Sequence, residues 1–153
     1  MKRGTILNAE LNHAIAAMGH GDTMIVCDAG FPIPRGAWRV DLAVIKDIPD
    51  LATVLTAIAG DFVAEKVSYA DTLPAHNPVL LETVKRLFPD VDHTMVTHES
   101  ILGELAAKAK VIVRTGAFDP WGNVVLTSGV DVPRWFDKPG VVAPEYYARK
   151  LRR

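Results

Sequence analysis

The sequence has a single cysteine, Cys27, so no intrachain disulfide can form. Cys27 lies inside the apolar run "TMIVC". It reads as a buried, inert thiol, because a nucleophilic cysteine needs exposure and a base beside it. Long hydrophobic runs are missing too. No apolar stretch approaches the roughly 20 residues that span a bilayer. The start, "MKRGTILNAELN", has no apolar core behind its basic residues and does not read as a signal peptide. A strong charge of either sign is also lacking: 17 Lys and Arg face 18 Asp and Glu, for a net charge of −1. That balance argues against nucleic acid or an anionic membrane as partner, since both favour a basic excess. The expected compartment is the cytoplasm. Cofactor signatures are scarce as well. "GHGDTM" carries the first two glycines of a dinucleotide motif, but it precedes a strand and lacks the third. There is no Walker motif, no G-x-S-x-G elbow and no H-E-x-x-H. His20, Asp28 and His98 have donor atoms that suit zinc, but their spacing matches no metal pattern. No metal and no cofactor is expected.

What is present is an ordinary globular balance, 49% hydrophobic and 23% charged, over 153 residues. That length suits one compact domain. "LNAELNHAIAAMGH" places Leu11, Ala14, Ile15 and Met18 on one helical face, with Asn8 as cap and Gly19 as stop. "TMIVCDAG" reads as a buried strand, and a second strand is expected around Val40 to Ile45. A helix capped by Asp50 and stopped by Gly60 follows, then a strand at "AEKVSYA". "HNPVLLETVKRLFP" is a helix with Asn77 as cap and Pro78 in its first turn. "DHTMVTHES", "KVIVRTG" and "NVVLTSGV" supply three more strands, with the helix "SILGELAAKAK" after the first. Strands alternating with helices predict an α/β domain, layered, with a central mixed, largely parallel sheet flanked by helices. Continuous apolar strands predict that both sheet faces are covered. The end, residues 131–153, differs: it holds three prolines, a Trp-Phe pair, a Tyr-Tyr pair and a basic terminus. It reads as an arm packed on the body or on a neighbouring subunit.

Ligands of open α/β sheets tend to sit beyond the carboxyl ends of the strands. Asp28, His98 and Arg114 fall at such ends, and Asn123 opens the last strand behind "DPWG". His20 stands in a glycine-flanked turn just before the first strand. Each has a plain structural alternative. Asp28 serves a ligand or caps the turn "DAGFP". His98 serves a ligand or caps the next helix. Arg114 is an ion-pair partner or a ligand group. Asn123 is a turn former or a ligand, and His20 is a catalyst or a cation at a helix end. His13, His76 and His93 read as structural or solvent-exposed. Two histidines with an aspartate and an asparagine suit acid–base chemistry near neutral pH.

The stretch "KRGTILNAELNHAIAAMGHGDTMIVCDAGFPIP" resembles the opening of the D-ribose pyranase and fucose mutarotase family. "AHNP", "VTHES" and "WGNVVLTSGV" follow in the order of that family. "CDAGFPIP" and "THE" resemble the ribose branch more closely. The resemblance implies a pyranase/mutarotase-like domain over residues 1–130, with residues 131–153 as an added arm. It implies a cofactor-free isomerase that interconverts ring forms, β-pyranose with β-furanose or the anomers, of a free monosaccharide such as D-ribose. In that family His20 corresponds to the proton donor. Asp28, His98, Trp121, Gly122 and Asn123 correspond to sugar contacts. The family forms ring-shaped homo-oligomers, pentamers or decamers, with sites near subunit contacts. The family more often has tyrosine where this chain has Trp121, so an indole donor replaces a phenolic hydroxyl. The alternative is a non-catalytic sugar-binding or regulatory protein on the same fold.

Overall fold

A computed structural model describes residues 2–148 and 150–152, Arg152 by its backbone alone. Six strands form one sheet: β1 (Thr23–Cys27), β2 (Arg39–Asp41), β3 (Ala64–Ala70), β4 (Asp92–Val96), β5 (Val111–Arg114) and β6 (Val124–Ser128). Their order across the sheet is β2-β5-β1-β6-β3-β4. β1, β2 and β5 run parallel, β3 and β4 run parallel, and β6 is antiparallel to both β1 and β3. Five strands therefore point one way and β6 alone points back. The mixed, largely parallel sheet expected from the sequence is the sheet observed.

Alternate residues of β1 go to opposite faces, as strand geometry demands. Met24 and Val26 join the core on one face with Leu11 of α1 (Ala9–Ala16), Leu55 and Ile58 of α2 (Leu51–Asp61), and Val84 of α4 (Pro78–Leu87). Ile25 and Cys27 join the other core with Ile101 and Ala106. Those two belong to a helical stretch made of α5 (His98–Ser100), a π-helical segment (Ile101–Leu105) and α6 (Ala106–Lys108). Both faces of the central strands β1, β5 and β6 are covered, which is why their sequences are largely apolar, while the edge strands β2 and β4 are polar and mostly exposed.

The capping residues act as their types predict. Asn8, Asp50 and Asn77 each accept a backbone N–H with the side chain. Four boundaries differ from expectation. α1 stops at Ala16, before Gly19. α2 runs through Gly60 to Asp61, because one glycine near a helix end costs only about 1 kcal/mol. The expected second strand shrinks to Arg39–Asp41. After Leu42 N–H donates to the Arg114 carbonyl, the chain folds on itself through Val44 N–H to Ile48 O and leaves the sheet. Finally, Thr97, not His98, caps α5 through its hydroxyl. A short helix, α3 (Leu73–His76), was not evident in the sequence. Among the described residues no helix is long and apolar enough to cross a membrane.

Beyond β6, Asp131 caps α7 (Val132–Trp135), and Val132 is buried. Phe136 meets Tyr147 with ring centroids 5.4 Å apart. Two single 3₁₀ turns, Glu145–Tyr147 and Lys150–Arg152, complete the described chain.

Candidate functional site

Strand direction divides the polar residues between two sheet edges. The carboxyl ends of β1 to β5 and the amino end of β6 share one edge. Asp28, Asp41, His98, Arg114 and Asn123 therefore lie on it. β1 lies between β5 and β6, so Asp28 is flanked by Arg114 on one side and Asn123 on the other.

This edge is tightly bonded. The Asp28 backbone N–H donates to Asn123 Oδ1 at 3.3 Å, and Gly30 N–H donates to Asp28 Oδ1 at 2.8 Å. Asn123 is buried, so its amide orientation is fixed by the chain rather than by water. Thr115, also buried, donates its hydroxyl to Cys27 O at 2.9 Å and accepts from Ala117 N–H. Arg114 Nε donates to Ala29 O, and its Nη1 bridges both Asp41 oxygens at 3.1 and 3.2 Å. Its guanidinium thus ties the loop after β1 to the end of β2. The ion-pair reading of Arg114 is the one its geometry follows. Arg114 and Ala43 hold the Asp41 carboxylate below the usual range, against the opposing effect of its partial burial.

Above these bonds is an open cleft of about 520 Å³. Asp28 and Arg114 line it together with two stretches of chain that form its walls, one through Val44, Ile45 and Lys46 and one through Phe118 and Asp119. Volumes of roughly 300–1,000 Å³ are typical of small-molecule sites. Its rim is strongly apolar for an exposed surface: Val44, Ile45 and Phe118 are 75%, 64% and 63% exposed. The two walls are stitched by Asp47 N–H to Gly116 O and Phe118 N–H to Asp47 Oδ1. Asp119 has its carboxyl pushed up, first by burial and then by the charges of Asp47 and Asp50.

The segment "WGN" forms the corner of this edge. Trp121 has φ of +55°, where a bulky side chain is strained. The turn is held by Gly122 N–H to Asp119 O and Asn123 N–H to Trp121 O, at 3.0 and 2.8 Å. A Cβ at Gly122 would lie 2.8 Å from Asp119 O, so this close approach admits only glycine. The Trp121 ring rests against His76, centroids 4.7 Å apart. Asn77 reaches over to donate to Pro120 O.

His98 is on the same edge but opens α5 just beyond β4, a strand three positions from β1. At about 4.8 Å per strand, their strand ends are roughly 14 Å apart. His20 is elsewhere. Its turn precedes β1 on the opposite edge, where its Nε2 meets Glu65 Oε2 at 3.0 Å. Five strand residues at about 3.3 Å each put roughly 16 Å between the two edges. Of the six residues named from the sequence, Asp28, Trp121, Gly122 and Asn123 are brought together. His98 is a neighbour along the edge, and His20 is separated from all of them within one chain. Sequence reading did not single out Asp119 and took His76 as structural or solvent-exposed, although they belong to the pieces "DPWGN" and "AHNP". It also missed Val44, Ile45 and Phe118, which carry no chemical signature. The imidazoles read as structural bear this out in two cases: His13 packs on Trp38, and His93 Nε2 pairs with Phe88 O. Among the described residues no group of three or more His, Cys, Asp or Glu is placed to hold a metal ion.

Comparison with known proteins covers nearly all of this architecture. Residues 1–131 match the family described as the RbsD / FucU transport protein family. A curated protein of Streptomyces griseus named D-ribose pyranase 1 is 53% identical over 151 residues, 99% of this chain and 100% of that protein. One from Geobacillus thermodenitrificans named D-ribose pyranase is 39% identical over 131 residues, 86% of this chain and 98% of its own. The structure of Bacillus subtilis RbsD complexed with D-ribose superposes with a TM-score of 0.80 at 32% identity, over 85% of this chain and 98% of that one.

Proposed function

Because the chain belongs to the RbsD / FucU transport protein family, we propose that it is a cytoplasmic isomerase interconverting the pyranose and furanose forms of free D-ribose. The observation that carries this is the 53% identity with a D-ribose pyranase over the full length of both proteins. The cleft lined by Asp28, whose backbone bonds Asn123, supports the reading.

Ring exchange needs protons moved and no bond to the protein. A proton goes to the ring oxygen while the anomeric hydroxyl loses one. The bond between the anomeric carbon and the ring oxygen breaks, and a carbonyl forms. The neighbouring hydroxyl then adds to that carbonyl, loses its proton, and the former carbonyl oxygen takes one back. Atoms and charge balance without a cofactor. A placed imidazole can make both transfers near neutral pH, typically contributing on the order of 10²- to 10⁴-fold.

In this reading His20 is the proton donor. Asp28 accepts sugar hydroxyl protons through the oxygen not used by Gly30. Asn123 has Oδ1 engaged with Asp28 N–H, so its amide NH₂ is the group it would offer a sugar hydroxyl. Trp121 offers an indole face to the apolar side of the sugar, Gly122 permits that turn, and His98 closes the far end. The separation between His20 and Asp28 requires a second chain: the His20 edge of one subunit meets the cleft of the next. The apolar rim of Val44, Ile45 and Phe118 suits burial in such a contact. A closed ring of subunits, a pentamer or a pair of them, satisfies this head-to-tail arrangement.

Magnetisation transfer by NMR between ribose ring forms tests the proposal. The protein should accelerate exchange, and His20→Ala should remove the acceleration. Binding of ribose without acceleration would instead establish a sugar-binding protein. A monomeric mass in solution would refute the shared site.

A further inference from the structure

The His20 edge carries a feature that the ring-exchange reading leaves unused. Glu65 is the extra residue of a bulge in β3: Ala64 pairs with Ser128 and Lys66 with Thr127, so Glu65 faces no partner on β6. Bulges re-aim side chains, and this one sends the Glu65 carboxylate to His20 Nε2 at 3.0 Å. The seat is shaped for it. A Cβ at Gly129 would lie 2.9 Å from Glu65 Cβ and 3.3 Å from Glu65 N, so glycine there keeps Glu65 in place. The His20 turn is anchored independently. Gly21 N–H donates to Ser128 O, and the Asp22 carboxylate accepts from Gly19 N–H and Lys110 Nζ. A third group arrives from the C-terminal arm: Lys150 Nζ is 3.8 Å from the same Glu65 oxygen. Lys150 lies beyond residue 131, where the family match ends.

We propose that Glu65 is the positioning residue of His20, and that the C-terminal arm holds Glu65 in that role through Lys150. The proposal rests on the reading of His20 as proton donor. A carboxylate only accepts hydrogen bonds, so the His20 nitrogen facing it must carry hydrogen. Neutral His20 is therefore fixed as the Nε2–H tautomer, with Nδ1 left to exchange a proton with the sugar. The His20 side chain is 53% exposed and that of Glu65 28%. The imidazole stays open on the side away from Glu65, as a residue acting on a neighbouring subunit's ligand requires. The charged groups around it are Glu65 from β3, Lys150 from the arm, and Asp22 of its own turn paired with Lys110, which precedes β5.

The test uses the full chain with ¹⁵N-labelled histidine, at a mildly alkaline pH where imidazole is neutral, beside ring-exchange kinetics on D-ribose. Wild-type His20 should show a protonated Nε2 and an unprotonated Nδ1. Glu65→Ala should mix the two tautomers and lower kcat about 10-fold or more, a part of the general-acid contribution, with KM nearly constant. Glu65→Gln keeps an acceptor oxygen and should restore the tautomer and part of kcat. Lys150→Met should shift both readings in the direction of Glu65→Ala, by a smaller step. Wild-type tautomer signals in Glu65→Ala, or an unchanged kcat, would overturn the positioning role. Lys150→Met identical to wild type in both readings would overturn the role of the arm. Ring exchange that survives His20→Ala would defeat the proton-donor reading itself, while the ¹⁵N spectrum would still report on the His20–Glu65 pair.

Discussion

Subunit mixing gives the most direct test of the proposed division of the site between subunits. Consider His20→Ala and Asp28→Ala, each at about a tenth of wild-type activity or less. Removing a placed acid costs on the order of 10²- to 10⁴-fold. Removing a carboxylate that bonds sugar hydroxyls costs about 1.5–3 kcal/mol, or roughly 10- to 150-fold. The parallel strands put these side chains on opposite edges, roughly 16 Å apart along β1, too far for one imidazole and one pentose to bridge. If each site joins the His20 edge of one subunit to the Asp28 cleft of another, co-refolding equal amounts makes intact sites. Half the subunits supply a good His20 and half a good Asp28, so about a quarter of the heterologous contacts hold both. The mixture should then reach about a quarter of wild-type ring-exchange activity, above either parent. Activity equal to the mean of the parents, in oligomers shown by mass to be mixed, would place the site within one chain and refute the edge argument.

Other perturbations read other parts of the structure. Gly122→Ala drives a Cβ to within 2.8 Å of Asp119 O. The lost hydrogen bond and the overpacking together cost about 2–4 kcal/mol, lowering Tm by about 5–15 °C, and the displaced Trp121 and Asn123 should lower kcat/KM about 10²-fold. Calorimetry and ring-exchange assays check both values. Cys27 donates to Val113 O at 3.5 Å, and burial pushes its thiol far up. Thiol reagents should therefore leave it untouched in the native protein and label it only on unfolding. The Asp22 carboxyl is held below its ordinary range, chiefly by Lys110 and then by Gly19 N–H. Because the folded value is depressed, its stabilisation is present above the unfolded carboxylate range near pH 4 and is lost as pH falls through the folded value. Asp22→Asn should be less stable than wild type at neutral pH, by up to about 1 kcal/mol, and the gap in thermal unfolding should close in acid.

The sequence was most informative where a residue's local chemistry decides its structure. Asn8, Asp50 and Asn77 cap helices because their side chains reach a backbone N–H within the same turn. "AEKVSYA" is a strand from end to end. It was least informative where a distant group intervenes. The strand expected through Ile45 ends at Asp41 because Arg114 and Gly116, more than 70 residues on, bind the departing chain. His98 leaves helix capping to Thr97, a difference of one residue that periodicity does not resolve. The role of Glu65 carries no signal in the sequence, since a bulge depends on the register of the partner strand.

Local pattern thus determined that this chain forms alternating strands and helices with two covered sheet faces, and motif order marked "CDAGFPIP" and "WGN" as belonging to one chemistry. Tertiary structure decided where those pieces meet. Strand direction, a property of pairing between distant segments, brought Asp28 and Asn123 into a single hydrogen bond across 95 residues. The same direction sent His20 to the far edge, beside Glu65 and the C-terminal arm. Side-chain identity can be read one residue at a time, but the edge of the sheet on which it acts is set only when all six strands have paired.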